Sequence, residues 1–158
     1  MLKIRTFEDP VLRTPVELVT PDTKFLVEGE LLNLSTFVNL MHEIMNSNNG
    51  IGLAAPQVGF SYSLFVVDVQ ISAGEHFKET FINPKLIDKY GHIYRMEEGC
   101  LSVPGIHQNV DRYGSILLHY DDINFKRQHQ FFHGIESRVI QHEYDHLQGI
   151  LFTDYAKI

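Results

Sequence analysis

The sequence is poor in residues that mark several large classes of protein. Only one of its 158 residues is cysteine and none is tryptophan. A single cysteine cannot form a disulfide within the chain, so a small disulfide-stapled secreted domain is excluded. No apolar run approaches the roughly 20 residues of a membrane span, and the first ten residues lack the apolar core of a signal peptide. We therefore expect a cytoplasmic protein with no membrane partner.

Basic residues are also scarce. The 13 lysines and arginines are outnumbered by 20 acidic residues, which gives a net charge of −7, and they form no cluster. A nucleic-acid groove needs a basic patch, so we expect no direct nucleic-acid partner. The length and the 44% hydrophobic content predict one domain spanning residues 1–158. The sequence does not fix the oligomeric state; a monomer is favoured.

The most informative segment is Gln-His-Glu-Tyr-Asp-His, at residues 141–146. On a helix, His142 and His146 lie on one face because they are four residues apart, so both imidazoles can reach one metal ion. Glu143 is turned by about a quarter of the helix circumference and lies beside the ion. That position suits a general base that acts on a metal-bound water. Two histidines do not complete a metal site, so a third ligand is needed.

The third ligand must precede the helix. A metzincin pattern would need histidine at position 152, where the chain has Phe152, and the only acid after His146 is Asp154, which is too close in sequence to fold back. Upstream, Cys100 stands in the segment Glu-Glu-Gly-Cys-Leu-Ser, at residues 97–102. A lone cysteine is most often a small buried hydrophobe. Its motif, together with the histidine helix, favours a metal ligand.

A third segment, Gly-Ile-Gly-Leu-Ala-Ala-Pro-Gln at residues 50–57, is a weak signal alone. Together with residues 98–102 and 141–149, it resembles the signatures of the peptide deformylase family. Those signatures read G-hydrophobic-G-hydrophobic-A-A-x-Q, E-G-C-hydrophobic-S and Q-H-E-x-D-H-L-x-G, in this order. The resemblance spans nearly the whole chain. It implies a metal-dependent hydrolase that removes the formyl group from the N-terminal methionine of new polypeptides and releases formate.

The resemblance implies a metal site with one open position. Cys100, His142 and His146 would hold one divalent ion. The family's usual ion is Fe(II), and zinc, nickel or cobalt can replace it, although the ligand types alone favour zinc. Glu143 would take the proton of the metal-bound water that attacks the formyl carbon and return it to the leaving amine.

The resemblance also implies how the substrate is held. Gln57 and the backbone N–H of Leu101 would stabilise the carbonyl oxygen as it gains charge. Ile51, Met96 and helix residues near His142 would line the methionine pocket. The backbone of Gly52 would pair with the substrate as an added strand. The implied partners are formylated N-termini of nascent polypeptides near the ribosome.

Several interpretations remain open. Arg112 could pair with Asp145 and stiffen the helix, or form a weak exposed ion pair. Glu98 could orient a ligand or be a solvated acid. Many relatives carry a substrate-anchoring arginine where this chain has His107, so we expect weaker anchoring. Some relatives have a tail helix used at the ribosome. The sequence after His146 is too short for one, so recruitment through such a helix is not assumed.

Two other functions use the same residues. The chain could be a binding module that keeps the metal and holds formylated peptides without turnover. It could also be an endopeptidase built on the same helix, although the missing downstream ligand argues against this. Turnover of a formylated peptide would exclude the binding module. Internal cleavage of an unformylated protein would indicate the endopeptidase.

The hydrophobic pattern predicts an α+β fold, with antiparallel β-sheets packed around a central α-helix that carries the HExxH motif. We expect a first helix over about residues 24–47, stopped by Asn48-Asn49-Gly50. The motif helix is expected over about residues 135–148, with Gly149 as its stop. Predicted strands cover residues 63–69, 80–82, 86–94, 115–120 and 126–133, the last two forming a hairpin.

Overall fold

The computed structural model describes residues 2–156 of the chain. Its strands are β1 (Phe25–Val27), β2 (Glu30–Leu32), β3 (Gly52–Ala54), β4 (Leu64–Ser72), β5 (Glu75–Cys100), β6 (Val103–Asp121) and β7 (Arg127–His133). Its helices are α1 (Leu34–Ser47) and α2 (Gly134–Leu147). Neither helix in this part of the chain has the length and apolar character needed to cross a bilayer.

The main sheet has five antiparallel strands in the order β3-β4-β5-β6-β7, and β1 and β2 form a separate hairpin. The predicted α+β class with antiparallel sheets is confirmed. β5 pairs with β4 through its first part and with β6 through the rest, which ends at the pair Cys100–Val103. The register shifts between Ile82 and Lys85, where Asn83 has a positive φ of 50°. This irregularity explains why the sequence pattern predicted two strands where the structure has one.

The start predicted for the first helix is wrong, because residues 25–32 form the β1–β2 hairpin. Glu28 and Gly29 have positive φ values of 49° and 81°, and they reverse the chain between the two strands. Asn33 then caps α1 by accepting a hydrogen bond from the Thr36 N–H at 2.9 Å. The predicted stop is confirmed, since Asn49 has a φ of 59° just past the last turn.

The main sheet is covered on both faces at β4. Along β4, Leu64 and Val66 pack with residues of α1, whereas Phe65 and Val67 pack with residues of α2. This alternation follows the period of two of a strand. The two helices therefore pack against opposite faces of β4.

α2 ends as predicted at Gly149. The Ile150 N–H donates to the Asp145 carbonyl at 2.9 Å, the Gly149 N–H donates to the His146 carbonyl at 3.2 Å, and Gly149 has a φ of 74°. These are the two hydrogen bonds of a Schellman motif. The apolar residues Val139 and Ile140 are buried. Polar residues of the same helix are buried too, so they need partners inside the protein.

Candidate active site

The three predicted metal ligands converge. One ligand atom from each of Cys100, His142 and His146 lies within 4.8 Å of the other two, and Cys100 Sγ is 3.4 Å from His146 Nε2. The cysteine comes from the end of β5 and the histidines from α2. Within residues 2–156 this is the only group of three such side chains with that spacing. A sulfur and two ring nitrogens are a donor set typical of zinc and related divalent ions.

The surroundings of these side chains fit a bound cation. Burial and nearby cations hold the pKa of His146 well below its ordinary value, so its ring is neutral, as a metal ligand must be. Burial alone would lower the pKa of His142, but its hydrogen bonds to Cys100 and Glu98 raise it to about 10. An ion that binds there therefore displaces a proton, which is usual for histidine and cysteine sites.

Glu98 orients His142. Its Oε1 atom lies 2.9 Å from His142 Nδ1, which leaves Nε2 of the ring to face the other ligands. Glu98 is only 8% exposed, so it is not a solvated acid. Burial would raise its pKa, but hydrogen bonds from His142 and Arg112 outweigh burial and lower the pKa to about 2. Of the two interpretations of Glu98, the burial excludes the solvated acid, and the contact with His142 is the one that an orienting role requires.

Arg112 forms a buried ion-pair network. It donates to both oxygens of Glu98 at 2.6 and 2.9 Å and to Asp145 Oδ2 at 3.0 Å. Its side chain is 5% exposed, so the pair with Asp145 is not the weak exposed pair that the sequence left open. The Tyr155 hydroxyl also donates to Asp145, at 2.8 Å. The network joins β5, β6, α2 and the C-terminal 3-10 turn (Phe152–Ala156) around the ligands.

Sequence reasoning missed Arg138, a second arginine in this network. It is buried and donates to Glu98 Oε2 at 2.5 Å and to the Tyr94 carbonyl at 2.6 Å. The sequence did place Arg138 near the site, because it lies four residues, or about one helical turn, before His142 on the same face of the helix. The identity of its partner could not be read from that spacing.

Glu143 lies beside the ligands. It is 3% exposed, its Oε1 is 4.0 Å from His142 Nε2, and its Oε2 is buried without a hydrogen-bond partner. Burial raises its pKa to about 7. A carboxylate with that pKa can both accept and release a proton near neutral pH. Gly52 packs against it so closely that a Cβ atom there would be 2.6 Å from Glu143 Oε1.

The Gln57 amide is fixed by three contacts. Its Oε1 accepts the Ala54 N–H at 2.9 Å, and its Nε2 donates to Ser102 Oγ at 3.1 Å and lies 3.6 Å from Cys100 Sγ. The N–H side of the amide therefore faces the cysteine. Leu101 follows that cysteine in the turn between β5 and β6 and is half-buried. Ser102 is fully buried and holds Gln57, a role that was not assigned from the sequence.

These groups open into a cavity of about 640 Å³. Eight of the nine predicted site residues line it, and the ninth, His146, is buried behind Cys100. Ile51 and Met96 form exposed apolar walls, each 46% exposed. The lining also includes His107, whose ring packs so close to Gly99 that a Cβ there would be 2.8 Å from its Cδ2.

The free edge of β3 faces this cavity. The Asp68 N–H donates to the Ile51 carbonyl at 2.9 Å, so in the antiparallel pairing with β4 residues 51 and 53 form the hydrogen-bonded pairs. Gly52 and Ala54 therefore direct their N–H and C=O groups away from β4. Gln57 accepts the N–H of Ala54, whereas the backbone of Gly52 forms part of the cavity lining.

Comparisons with known proteins identify the family. The sequence model of the polypeptide deformylase family matches residues 1–158. A peptide deformylase of Flavobacterium psychrophilum is 39% identical over 98% of this chain and 81% of that protein. One from Karelsulcia muelleri is 43% identical over 81% of this chain and 68% of that protein. The crystal structure of a probable peptide deformylase from Synechococcus phage S-SSM7 has a TM-score of 0.85 and 36% identity, and the match covers 98% and 99% of the two chains.

Proposed function

Because the chain belongs to the polypeptide deformylase family, a family of enzymes, we propose that it hydrolyses the N-terminal formyl group of formyl-methionyl polypeptides and releases formate. The observation that carries this proposal is the convergence of Cys100, His142 and His146 beside the buried carboxylate of Glu143, at one end of a cavity with a free strand edge. We propose that residues 1–158 form one catalytic domain with α2 as its central helix.

Cys100, His142 and His146 would hold one divalent metal ion. Fe(II) is the ion we propose for the cell, with zinc, nickel or cobalt as replacements, because a thiolate and two imidazoles accept all four. When bound, the ion supplies Lewis acidity, which makes water a nucleophile near neutral pH. Glu98 fixes the ring of His142 from behind, which makes the site rigid.

Glu143 moves the proton. With its pKa raised to about 7 by burial, it takes a proton from the attacking water and delivers it to the amine that leaves with the polypeptide. Its position against Gly52 limits how far the carboxylate can move. This restraint supports a fixed distance between the base and the reacting carbon.

Gln57 and the backbone N–H of Leu101 would stabilise the formyl oxygen as it becomes negative. The Gln57 amide is already oriented by Ala54 and Ser102, so it needs no rearrangement during the reaction. Such a preorganised donor is typically worth ~2.7–4 kcal/mol in the transition state.

The cavity suits an extended N-terminus. The methionine side chain would pack against Ile51 and Met96, and the substrate backbone would pair with Gly52 as an added strand. His107 lines the same cavity, and its imidazole ring, which lacks the fork of N–H donors of a guanidinium, would anchor a peptide carbonyl less firmly than arginine does. The proposed partners are nascent polypeptides near the ribosome in the cytoplasm, bound by a monomer.

The test measures formate release and metal content together. Protein loaded anaerobically with Fe(II) or Ni(II) should release formate from formyl-Met-Ala-Ser and leave acetyl-Met-Ala-Ser intact. Glu143→Gln should keep one ion per chain and lose at least 99% of the rate, a loss on the order of 100-fold or more. A fully metallated wild-type protein that releases no formate would reject the proposal. Binding without turnover would instead indicate a binding module, and cleavage of an unformylated protein an endopeptidase.

A further inference from the structure

Arg138 shares one face of α2 with the two histidine ligands. It lies four residues before His142 and eight before His146, so the three side chains follow one another along the helix. Arg138 is 7% exposed. A buried guanidinium is stable only if its charge and its N–H groups have partners. The partners of Arg138 therefore indicate what its charge does in this site.

Those partners come from two other elements. Arg138 donates from Nη1 to Glu98 Oε2 at 2.5 Å and to the Val110 carbonyl at 3.1 Å, and from Nη2 to the Tyr94 carbonyl at 2.6 Å. Glu98 and Tyr94 belong to β5, and Val110 belongs to β6. One side chain thus ties the histidine helix to both strands of the hairpin that ends at Cys100.

Glu98 receives four hydrogen bonds, two on each oxygen. Oε1 accepts from His142 and Arg112, and Oε2 accepts from Arg112 and Arg138. Arg112 reaches the carboxylate from β6 and also binds Asp145 of α2. Without Arg138, Glu98 would keep only one of its two arginine partners, and its Oε2 atom would lose one of two hydrogen bonds. Arg138 is also the only residue of α2 that contacts Glu98 through a guanidinium.

We propose that Arg138 is a positioning residue for the metal ligands: it clamps Glu98 from the helix that carries His142 and so fixes the direction of that imidazole. The inference rests on the proposed function, since it concerns the same site. Partners of ligating histidines typically contribute 10- to 100-fold to metal affinity or activity. Arg138 acts one step further out, and we expect its loss to accelerate release of the ion by roughly 10-fold.

The test uses the full chain loaded with Co(II). The rate of transfer of the ion to a chelator and the visible absorption of the bound cobalt are measured for wild type, Arg138→Met and Arg138→Lys. Methionine keeps an apolar stem against the cavity but removes the clamp, so the ion should leave about 10-fold faster and the spectrum should change. Lysine keeps the charge but not the fork that reaches three acceptors, so it should recover part of the loss.

The matched control is Arg95→Met. Arg95 also pairs with a carboxylate, Asp111, at 2.8 Å, but the side chain is 69% exposed on β5 and does not line the cavity. Its replacement should leave both the release rate and the spectrum unchanged. If Arg95→Met changed the release rate or the spectrum as much as Arg138→Met does, the effect would be a general one of removing an arginine ion pair. The assignment of a positioning role to Arg138 would then be overturned.

A double-mutant cycle shows whether Arg138 acts through Glu98. In a Glu98→Gln background, adding Arg138→Met should change the release rate by less than twofold, because the group it clamps is already altered. The inference would be refuted if Arg138→Met changed the release rate equally in the wild-type and Glu98→Gln backgrounds. It would also be refuted if Arg138→Met and Glu98→Gln each released the ion at the wild-type rate. If Arg138→Met does not fold by circular dichroism, Arg138→Lys decides. If the wild-type protein binds one Co(II) but produces no formate, the proposed function is rejected. The rates at which cobalt leaves the variants would still show whether Arg138 positions the metal ligands.

Discussion

Replacing Gly52 with alanine tests the position of Glu143. A Cβ atom at residue 52 would lie 2.6 Å from Glu143 Oε1 and 2.8 Å from its Cγ, whereas ordinary contacts of this kind begin at 3.4 Å. Gly52 does not have a positive φ, so alanine adds no backbone strain. The Glu143 carboxylate must therefore move by about 0.8 Å, the difference between 3.4 and 2.6 Å.

We expect this displacement to affect the rate far more than the stability. A misplacement of about 1 Å can cost roughly 100-fold in rate, so kcat/KM for formyl-Met-Ala-Ser should fall by on the order of 100-fold. Overpacking costs about 1–3 kcal/mol, and the loss of glycine freedom in the unfolded chain offsets about 0.4–1 kcal/mol of it. The free energy of unfolding should therefore fall by roughly 1–2 kcal/mol.

The assay combines formate release, metal content and urea unfolding. Gly114→Ala is the matched control, because its Cβ would lie 2.8 Å from Cε2 of the exposed Tyr94 ring, outside the cavity lining. The control should lose a similar amount of stability or less and keep the wild-type kcat/KM. If Gly52→Ala holds one ion per chain and still turns over at the wild-type rate, Glu143 is not the proton carrier that its position suggests.

Three further predictions follow from single side chains. Gln57→Ala should lower kcat by roughly 100- to 1,000-fold with the ion retained, measured by formate release; an unchanged kcat would remove it from the oxygen-stabilising role. The pKa of Glu98 is lowered from 4.5 to about 2, so the stability it contributes, on the order of 3 kcal/mol, is present above pH 4.5 and is lost as the pH falls towards 2. Urea unfolding between pH 5 and 2.5 should show this loss, and Glu98→Gln should reduce the slope. Asn33→Ala should cost about 1 kcal/mol by removing the cap of α1, and Asn33→Asp should restore it; equal midpoints for all three proteins would contradict the capping role.

The ligand helix was predictable because its information is local. Spacing of four residues places His142 and His146 on one face wherever the helix lies, and Gly149 marks its end. Cys100 could not be linked to them by periodicity, since 42 residues separate it from His142. Only the resemblance of the surrounding motifs predicted that pairing. In the structure, ligand atoms of the three side chains lie within 4.8 Å of one another.

Other features depended on tertiary contacts. Residues 25–32 carry apolar side chains that also suit a helix. In the structure, the positive φ values of Glu28 and Gly29 form the turn of a hairpin instead. The role of Glu98 stayed open because burial determines it, and burial is set by α2 and the long strands around it. Arg138 was missed for the same reason: its partners lie 28 to 44 residues away in sequence.

The short strand β3 also bears on self-association. Unpaired sheet edges are templates on which other copies of a protein can aggregate. β3 is three residues long, all of them are buried, and its open side meets a concave wall instead of bulk solvent. The recess therefore protects this sheet edge from edge-to-edge pairing with other copies of the protein.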